Sequence, residues 1–164
     1  MGVSSAAHAH RCADPDGLVL DCDPARLDID LIHGWLTAES YWVPGISRLD
    51  VECAIRHSLN FGAYRDDHQL GFARVVTDYV GFAWVCDVFV VPAAQGLGIG
   101  KRLARFMRTH PDLQNLRRWI LATRDAHGLY AQFGFTALAQ PARYMECLDP
   151  GAVQRRASLP APTE

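Results

Sequence analysis

The sequence lacks the patterns that identify several classes of protein. Its five cysteines are odd in number and none forms a C-x-x-C pair, so neither a disulfide framework nor a zinc site is indicated. Reduced thiols, typical of the cytoplasm, are the simplest interpretation. The seven histidines form no H-x-x-x-H or H-E-x-x-H pair, and we therefore expect no metal.

Charge excess and long apolar runs are missing as well. The formal net charge is -2, which gives no reason to expect nucleic acid or an anionic membrane as a partner. No apolar run approaches the roughly 18 residues of a membrane span. The start, Met1–Ala9, lacks the basic and long apolar regions of a secretory signal. We predict a cytoplasmic protein without a membrane segment.

The chain has a length of 164 residues, which suits one domain. Residues 1–17 are small and polar, and residues 149–164 are rich in proline, so we predict flexible segments at both ends. The domain between them, residues 18–148, alternates strand and helix patterns. We predict helices over Leu27–Leu36, from Ser47 onward, from Ile99 onward and around Tyr130. Strands are predicted at Leu18–Asp21, Phe61–Tyr64, Leu70–Val76, Phe82–Val91, Trp119–Ala122, from Phe135 onward and at Arg143–Cys147.

The strand at Phe82–Val91 leads into the most informative segment. Its apolar run is nearly continuous, which predicts a strand covered on both faces. A glycine-rich loop and an amphipathic helix follow. Glycines allow close backbone approach, and the N–H groups at a helix start attract anions, so this segment suits a pyrophosphate. The residues concerned are Gln95, Gly96, Leu97, Gly98, Ile99, Gly100 and Lys101, and Arg102 adds charge beside them.

Other phosphate motifs do not fit this loop. Gln95 and Arg102 stand where a P-loop needs a glycine and a hydroxyl residue. The glycine spacing, G-x-G-x-G, is also not that of a Rossmann fingerprint. A plain strand-to-helix turn remains the alternative for the loop taken alone.

Three linked signals resemble the GNAT superfamily of N-acetyltransferases. The Q-x-x-G-x-G run from Gln95 to Gly100 is similar to its pyrophosphate loop, [RQ]-x-x-G-x-[GA], and a V-x-P end of a buried strand precedes it at Val90–Pro92. Leu129–Phe135 resembles the superfamily's L-Y-x-x-x-G-F signature. The resemblance implies a GNAT fold of the α/β (α+β) class, with a mixed central sheet of about six or seven strands and about four flanking helices.

The resemblance also implies a reaction and a site. An acetyl group would pass directly from acetyl-CoA, as cosubstrate, to an amine. The backbone of Val88, Phe89 and Val90 would pair with the pantetheine arm. Tyr130 would protonate the leaving thiolate. The alternative is a purely structural tyrosine that packs in the core. Thr123 stands where the family often has an asparagine that contacts the cofactor.

Asp87 is the only charged residue between Val80 and Val91, and a carboxylate in such a strand is costly unless it is bonded. A general base for an ammonium substrate is one interpretation. The other is a structural partner of Arg74, or of backbone N–H groups at a strand bulge. Glu39 is the second candidate base.

The loop that contains Glu39, Tyr41 and Trp42 lies where GNAT proteins commonly form the acceptor pocket, so we predict acceptor contacts there. A loop fixed by its aromatics is the alternative. A small primary amine is the favoured acceptor; a protein N-terminus or lysine is the second candidate, and a non-catalytic acyl-CoA-binding module is the third. The sequence leaves open the acyl length, which carboxylate is the base, and whether the chain forms a homodimer.

Overall fold

The computed structural model describes residues 10–158, which divide into two compact units. Residues 10–27 and 57–135 form the first, here called the sheet unit. Residues 28–56 and 136–158 form the second, called the helical unit. None of the helices in the described part of the chain has the length and apolar character needed to cross a membrane.

The sheet unit contains a six-stranded sheet whose strands follow one another in chain order. The first five strands pair antiparallel, and the last pair is parallel, so the predicted mixed sheet is confirmed. The strands are β1 (Arg11–Ala13), β2 (Val19–Asp21), β3 (Leu59–Arg65), β4 (His68–Thr77), β5 (Phe82–Val90) and β6 (Arg118–Leu121). The helices of the chain are α1 (Ile29–Ala38), α2 (Arg48–Arg56), α3 (Ile99–Arg108), α4 (His127–Ala131) and α5 (Ala152–Ala157).

Helix α3 supplies the centre of the core. Ile99, Leu103 and Phe106 recur at helical spacing, and all three are buried in one cluster with the inward side chains of the sheet. From the sheet, Phe61 and Val75 belong to the same cluster. Because Leu103 is fully buried, its truncation to alanine should cost about 2–5 kcal/mol of stability.

The alternation of side chains along β5 shifts by one residue at Asp87. Arg74 lies opposite Cys86 and Phe72 lies opposite Phe89, so two residues of β5 are opposed by one of β4, which is a β-bulge. Asp87 has a left-handed backbone with φ of +50°. The bulge lets side chains both before and after it face the α3 core, namely Ala83, Val85, Val88 and Val90.

The prediction that this strand is covered on both faces is wrong. Phe82 and Trp84 alternate with the core residues Ala83 and Val85 and are 39% and 41% exposed. A run of apolar letters does not distinguish a strand that is buried twice from one that keeps an open face.

The helical unit contains α1, α2 and α5. The predicted cap of α2 is confirmed: the Asp50 N–H donates to Ser47 Oγ at 3.1 Å, and that hydroxyl donates to Asp50 Oδ2 at 2.9 Å. The Arg156 guanidinium, from α5, pairs with the same carboxylate and holds the pKa of Asp50 below its usual range.

The C-terminal region differs from the prediction. Of the strands expected from Phe135 onward and at Arg143–Cys147, neither forms within residues 136–150, which include a 3-10 turn at Pro141–Arg143. Proline has no N–H for a sheet ladder, so a strand there would be interrupted. Helix α5 lies inside the segment predicted as a flexible tail, and β1 lies inside the predicted flexible N-terminus. The domain limits at residues 18 and 148 stay a prediction, and residues 1–9 and 159–164 lie outside the described part.

Candidate functional site

The site begins where β5 and β6 separate. Their parallel pairing runs from Phe82 and Arg118 to Val85 and Leu121. After this pair β5 continues to Val90, whereas the chain of β6 turns away toward α4. The backbone of β5 from Cys86 to Val90 is therefore not paired with β6. An extended ligand that carries amide groups can hydrogen-bond along such a strand edge.

The glycine loop follows the end of β5 directly. Gly96 and Gly98 have φ of +80° and +76°, which L side chains rarely adopt. Gln95 Nε2 donates to the Val90 carbonyl at 3.1 Å and so ties the loop to the strand end. A Cβ built on Gly96 or Gly98 has no neighbour within 4 Å, so these glycines are required by the backbone turn and face open space.

The loop ends at the N-terminus of α3, for which Gly98 is the cap residue. The first N–H groups of a helix have no acceptor within the helix, and they carry the positive end of its dipole. Lys101, the only lysine of the chain, is exposed in this first turn. These features favour an anionic ligand at the loop.

We expected Arg102 to add positive charge beside the loop, but its guanidinium pairs with two aspartates. Its Nη1 donates to Asp16 at 2.8 Å and to Asp14 at 3.2 Å. The guanidinium holds the pKa of Asp16 below its usual range. Lys101 is therefore the basic side chain of this turn whose charge can serve the loop.

Gly100 lies where three elements meet. A Cβ built on it would stand 3.7 Å from Leu129 Cδ2, in α4, and 4.0 Å from Val90 Cγ2, at the end of β5. Both are ordinary van der Waals distances. The first turn of α3, helix α4 and the end of β5 thus come together at Gly100.

Tyr130 lies in α4 and is 7% exposed. Its ring centroid is 5.7 Å from that of Phe135, in an edge-on arrangement. Burial raises the pKa of Tyr130 to about 12, so the phenol is neutral at physiological pH. Thr123, just before this helix, uses its Oγ1 to accept the Ala126 N–H at 3.0 Å. A structural task for Thr123 is thus evident, and its cofactor contact stays a prediction.

Asp87 is the structural partner of Arg74, which is one of the alternatives that the sequence left open. It is the left-handed residue of the bulge, and its Oδ2 accepts a hydrogen bond from Arg74 Nε. Arg74 Nη1 in turn donates to Ser58 Oγ at 3.1 Å. A role for Asp87 as general base stays a prediction. Burial raises the pKa of the neighbouring Cys86 thiol to about 11, which fits packing better than nucleophilic chemistry.

The predicted acceptor residues lie together in the helical unit. Glu39 is the cap residue at the end of α1, and its N–H donates to the Trp35 carbonyl at 2.8 Å. The Trp42 ring is 4.8 Å from Tyr41 and 5.8 Å from Trp35. Tyr41 and Trp42 remain 49% and 38% exposed, so the loop is held by aromatic contacts and still presents aromatic surface to solvent.

The sheet unit brings together the predicted cofactor residues of β5, the glycine loop and the Tyr130 helix. Sequence reasoning missed Trp84, which lies on the face of the sheet opposite α3 together with Arg74. It also missed the left-handed conformation of Asp87, because a bulge of this kind is usually signalled by glycine.

Comparison with known proteins gives consistent matches. The family model described as the acetyltransferase (GNAT) family matches residues 29–135. A crystal structure of a protein from Xanthomonas campestris, provisionally described as a GNAT acetyltransferase, is 47% identical, with a TM-score of 0.79 over 82% of this chain and 94% of that chain. A protein from Gibberella zeae, provisionally named an acetyltransferase, is 29% identical over 70% of this chain and 76% of its own length.

A more distant match extends the comparison of the fold. The structure of an acetyltransferase assigned by prediction in Clostridium acetobutylicum, solved with acetyl-CoA, is 13% identical and covers 73% of this chain and 86% of its own, with a TM-score of 0.56. At this identity the match concerns the fold alone.

Proposed function

The chain belongs to the GNAT acetyltransferase family, and from this premise we propose that it transfers an acetyl group from acetyl-CoA to a small primary amine. The observation that carries the proposal is the divergence of β5 from β6 after Val85. Near it the end of β5, the start of α3 after the glycine loop and the Tyr130 helix come together at Gly100.

Each of these elements suits one part of acetyl-CoA. The backbone of Val88, Phe89 and Val90 would hydrogen-bond the amide groups of the pantetheine arm. The N–H groups of the glycine loop and of the α3 N-terminus would hold the pyrophosphate, with Lys101 adding a positive charge. The residues assigned to the pyrophosphate are Gln95, Gly96, Leu97, Gly98, Ile99, Gly100 and Lys101.

In the reaction the amine nitrogen attacks the thioester carbonyl carbon, and the C–S bond then breaks to release the CoA thiolate. A thiol has a pKa of about 8.5, and Tyr130 has a pKa of about 12. Full proton transfer from Tyr130 to the thiolate would therefore be uphill by roughly 5 kcal/mol. A hydrogen bond from the Tyr130 hydroxyl to the departing sulfur has no such cost, and this is the role we assign to it.

The attacking amine must lose a proton, because an ammonium ion is not nucleophilic. Asp87 is our first candidate for the group that accepts it, since its carboxylate lies in β5 beside Val88. Glu39 is the second candidate. Glu39, Tyr41 and Trp42 can together attract a cation, through charge and through the electron-rich faces of the two rings.

The experiment that tests this function is a screen of amines with acetyl-CoA that reports free CoA. Small primary amines with apolar or cationic tails should release CoA, whereas peptides with a free N-terminus or lysine should not. Release of CoA only with peptides would indicate that the acceptor is a protein. No release with any amine would contradict the transferase assignment.

Binding can be tested apart from turnover because Lys101 is the only lysine. Acetyl-CoA should protect Lys101 from an amine-acylating reagent, as measured by mass spectrometry of its peptide. The α-amino group of the same chain serves as the unprotected control. Protection without turnover would favour an acyl-CoA-binding module. The cytoplasmic location and a homodimer stay predictions.

A further inference from the structure

We propose that Arg74 is a positioning residue for the acetyl transfer, holding the Asp87 carboxylate at the bulge where β5 leaves β6. The inference rests on the proposed function and names a residue that the cofactor loop and Tyr130 do not include. Arg74 lies in β4, directly opposite Cys86, and pairs with the carboxylate of the next residue along β5.

The first observation is the backbone at Asp87. A non-glycine residue with φ of +50° is uncommon, and glycine usually occupies this place in a bulge. Strained residues of this kind persist only where their surroundings hold them, and they cluster at functional sites. Aspartate tolerates this conformation better than most residue types, and here it also places a carboxylate at the bulge, where Arg74 engages it.

The second observation is the way Arg74 is held. Its Nε donates to Asp87 Oδ2, and its Nη1 donates to Ser58 Oγ at 3.1 Å. The side chains of Arg74 and Asp87 are 18% and 9% exposed, so the pair is largely withdrawn from water. The rigid guanidinium spans two partners at once, which a single ammonium group cannot do with the same geometry. The direction of the Asp87 carboxylate is thus fixed from β4 and from the residue that precedes β3.

The third observation is the position of the pair in the fold. Asp87 comes between Val85, the last β5 residue that pairs with β6, and Val88, the first of the residues assigned to the pantetheine arm. Val88 and Val90 pack with the α3 core, and Arg74 lies on the opposite face of the sheet. Loss of Arg74 should therefore disturb the chemical step and leave the cofactor loop, which joins α3, intact.

The test compares Arg74→Met, Arg74→Lys and Ser58→Ala with wild type in the assay of CoA release. Arg117→Met serves as the matched control, because Arg117 is an exposed arginine of the same unit, in the bend before β6. For Arg74→Met we expect kcat to fall at least about tenfold while the KM for acetyl-CoA stays within about twofold. Arg74→Lys should restore part of kcat, and Ser58→Ala should lower kcat by about three- to tenfold, again without affecting acetyl-CoA.

Several outcomes would overturn the inference. One is an unchanged kcat in Arg74→Met, and another is an equal loss of kcat and of acetyl-CoA affinity. If Arg74→Met does not fold, Arg74→Lys and Ser58→Ala decide, and wild-type kcat in both contradicts the role. If wild type itself releases no CoA with any amine, the proposed function fails and this inference fails with it. If wild type turns over normally and the Arg74 variants have the same kcat as wild type, the inference about Arg74 fails and the proposed function stands.

Discussion

Val85 is the last residue of β5 to pair with β6, and its partner is Leu121. Beyond this pair the two segments diverge, because β5 continues to Val90 whereas the segment after β6 turns at Thr123 into α4. After this divergence β6 is no longer the neighbour of β5. The residues of the proposed reaction in the sheet unit lie along the rest of β5, in the glycine loop and α3 that follow it, or in α4.

Gly100→Val should weaken acetyl-CoA binding at least tenfold, about 1.4 kcal/mol. The Cβ alone would meet Leu129 and Val90 at ordinary contact distances, so the backbone can accept a side chain there. The two further methyl groups of valine would add bulk in the first turn of α3, which is assigned to the pyrophosphate, and should hinder its approach. Calorimetric titration with acetyl-CoA measures the effect.

Gly100→Ala is the matched control for this variant. The family pattern accepts alanine at this position, and alanine adds only the Cβ that the structure accommodates. Alanine should therefore preserve binding and, as a better helix former, should not lower stability. Gly98→Val is less informative, because a φ of +76° strains any side chain there. Equal affinity for Gly100→Val and Gly100→Ala would remove Gly100 from the binding site.

Tyr130→Phe should lower kcat by roughly tenfold to a thousandfold and leave acetyl-CoA affinity unchanged. The substitution keeps the ring and its contact with Phe135, and removes only the hydroxyl. Tyr79→Phe, at a tyrosine of the β4–β5 connection, is the control. Steady-state kinetics with an accepted amine checks the prediction, and wild-type kcat in Tyr130→Phe would make Tyr130 a core residue.

Tyr130 should also make stability sensitive to alkali. Its pKa is about 12 in the folded protein and about 10 in an unfolded chain. Because the pKa is higher in the folded protein, Tyr130 contributes fully to the free energy of unfolding below about pH 10. This contribution is lost as the pH rises from about 10 to about 12. The loss is roughly 2–3 kcal/mol across this window.

Denaturant unfolding of wild type and Tyr130→Phe at pH 8 and pH 11 measures this contribution. The other groups whose pKa is raised by burial are also present in both proteins and cancel in the difference; they are Cys22, Tyr64, Tyr79 and Cys86. Relative to wild type, Tyr130→Phe should gain stability between the two pH values. A constant difference would mean that the Tyr130 hydroxyl reaches solvent.

The sequence predicted the parts of this protein that short-range patterns determine. The amphipathic spacing of α3, the Ser47 cap and the glycine loop are local features, and the structure confirms them. The bulge at Asp87 was only one of the alternatives that the sequence left open, because the bulge uses no glycine and its register depends on how β4 pairs with β5. The exposure of Trp84 was missed for a similar reason: burial depends on which surfaces meet, and residue type does not report it.

The final prediction concerns the acceptor. Trp42→Ala should raise the KM for the amine and leave that for acetyl-CoA unchanged, because the Tyr41 and Trp42 side chains belong to the loop after α1, which contains none of the residues assigned to the cofactor. The ring of Trp42 also contacts Trp35, so its removal can loosen the loop as well as remove a binding surface. Tyr41→Ala separates the two effects. Tyr41 is the more exposed of the pair and contacts Trp42 edge-on.

If the loop binds the acceptor, both variants should raise the KM for the amine, each by about threefold or more, which corresponds to the 0.5–2 kcal/mol of a cation held by an aromatic ring. Thermal unfolding of each variant supplies the control for loosening of the loop. A cation–ring contact also predicts that amines with a permanently charged tail bind better than neutral amines of the same size, and that Glu39→Gln reduces this preference. If Trp42→Ala lowers the melting temperature while the KM for every amine stays at the wild-type value, the aromatic loop is structural. The acceptor site would then be sought elsewhere, first on the sheet face that carries Arg74 and the exposed Trp84, and the KM of Trp84→Ala for the amine tests that face.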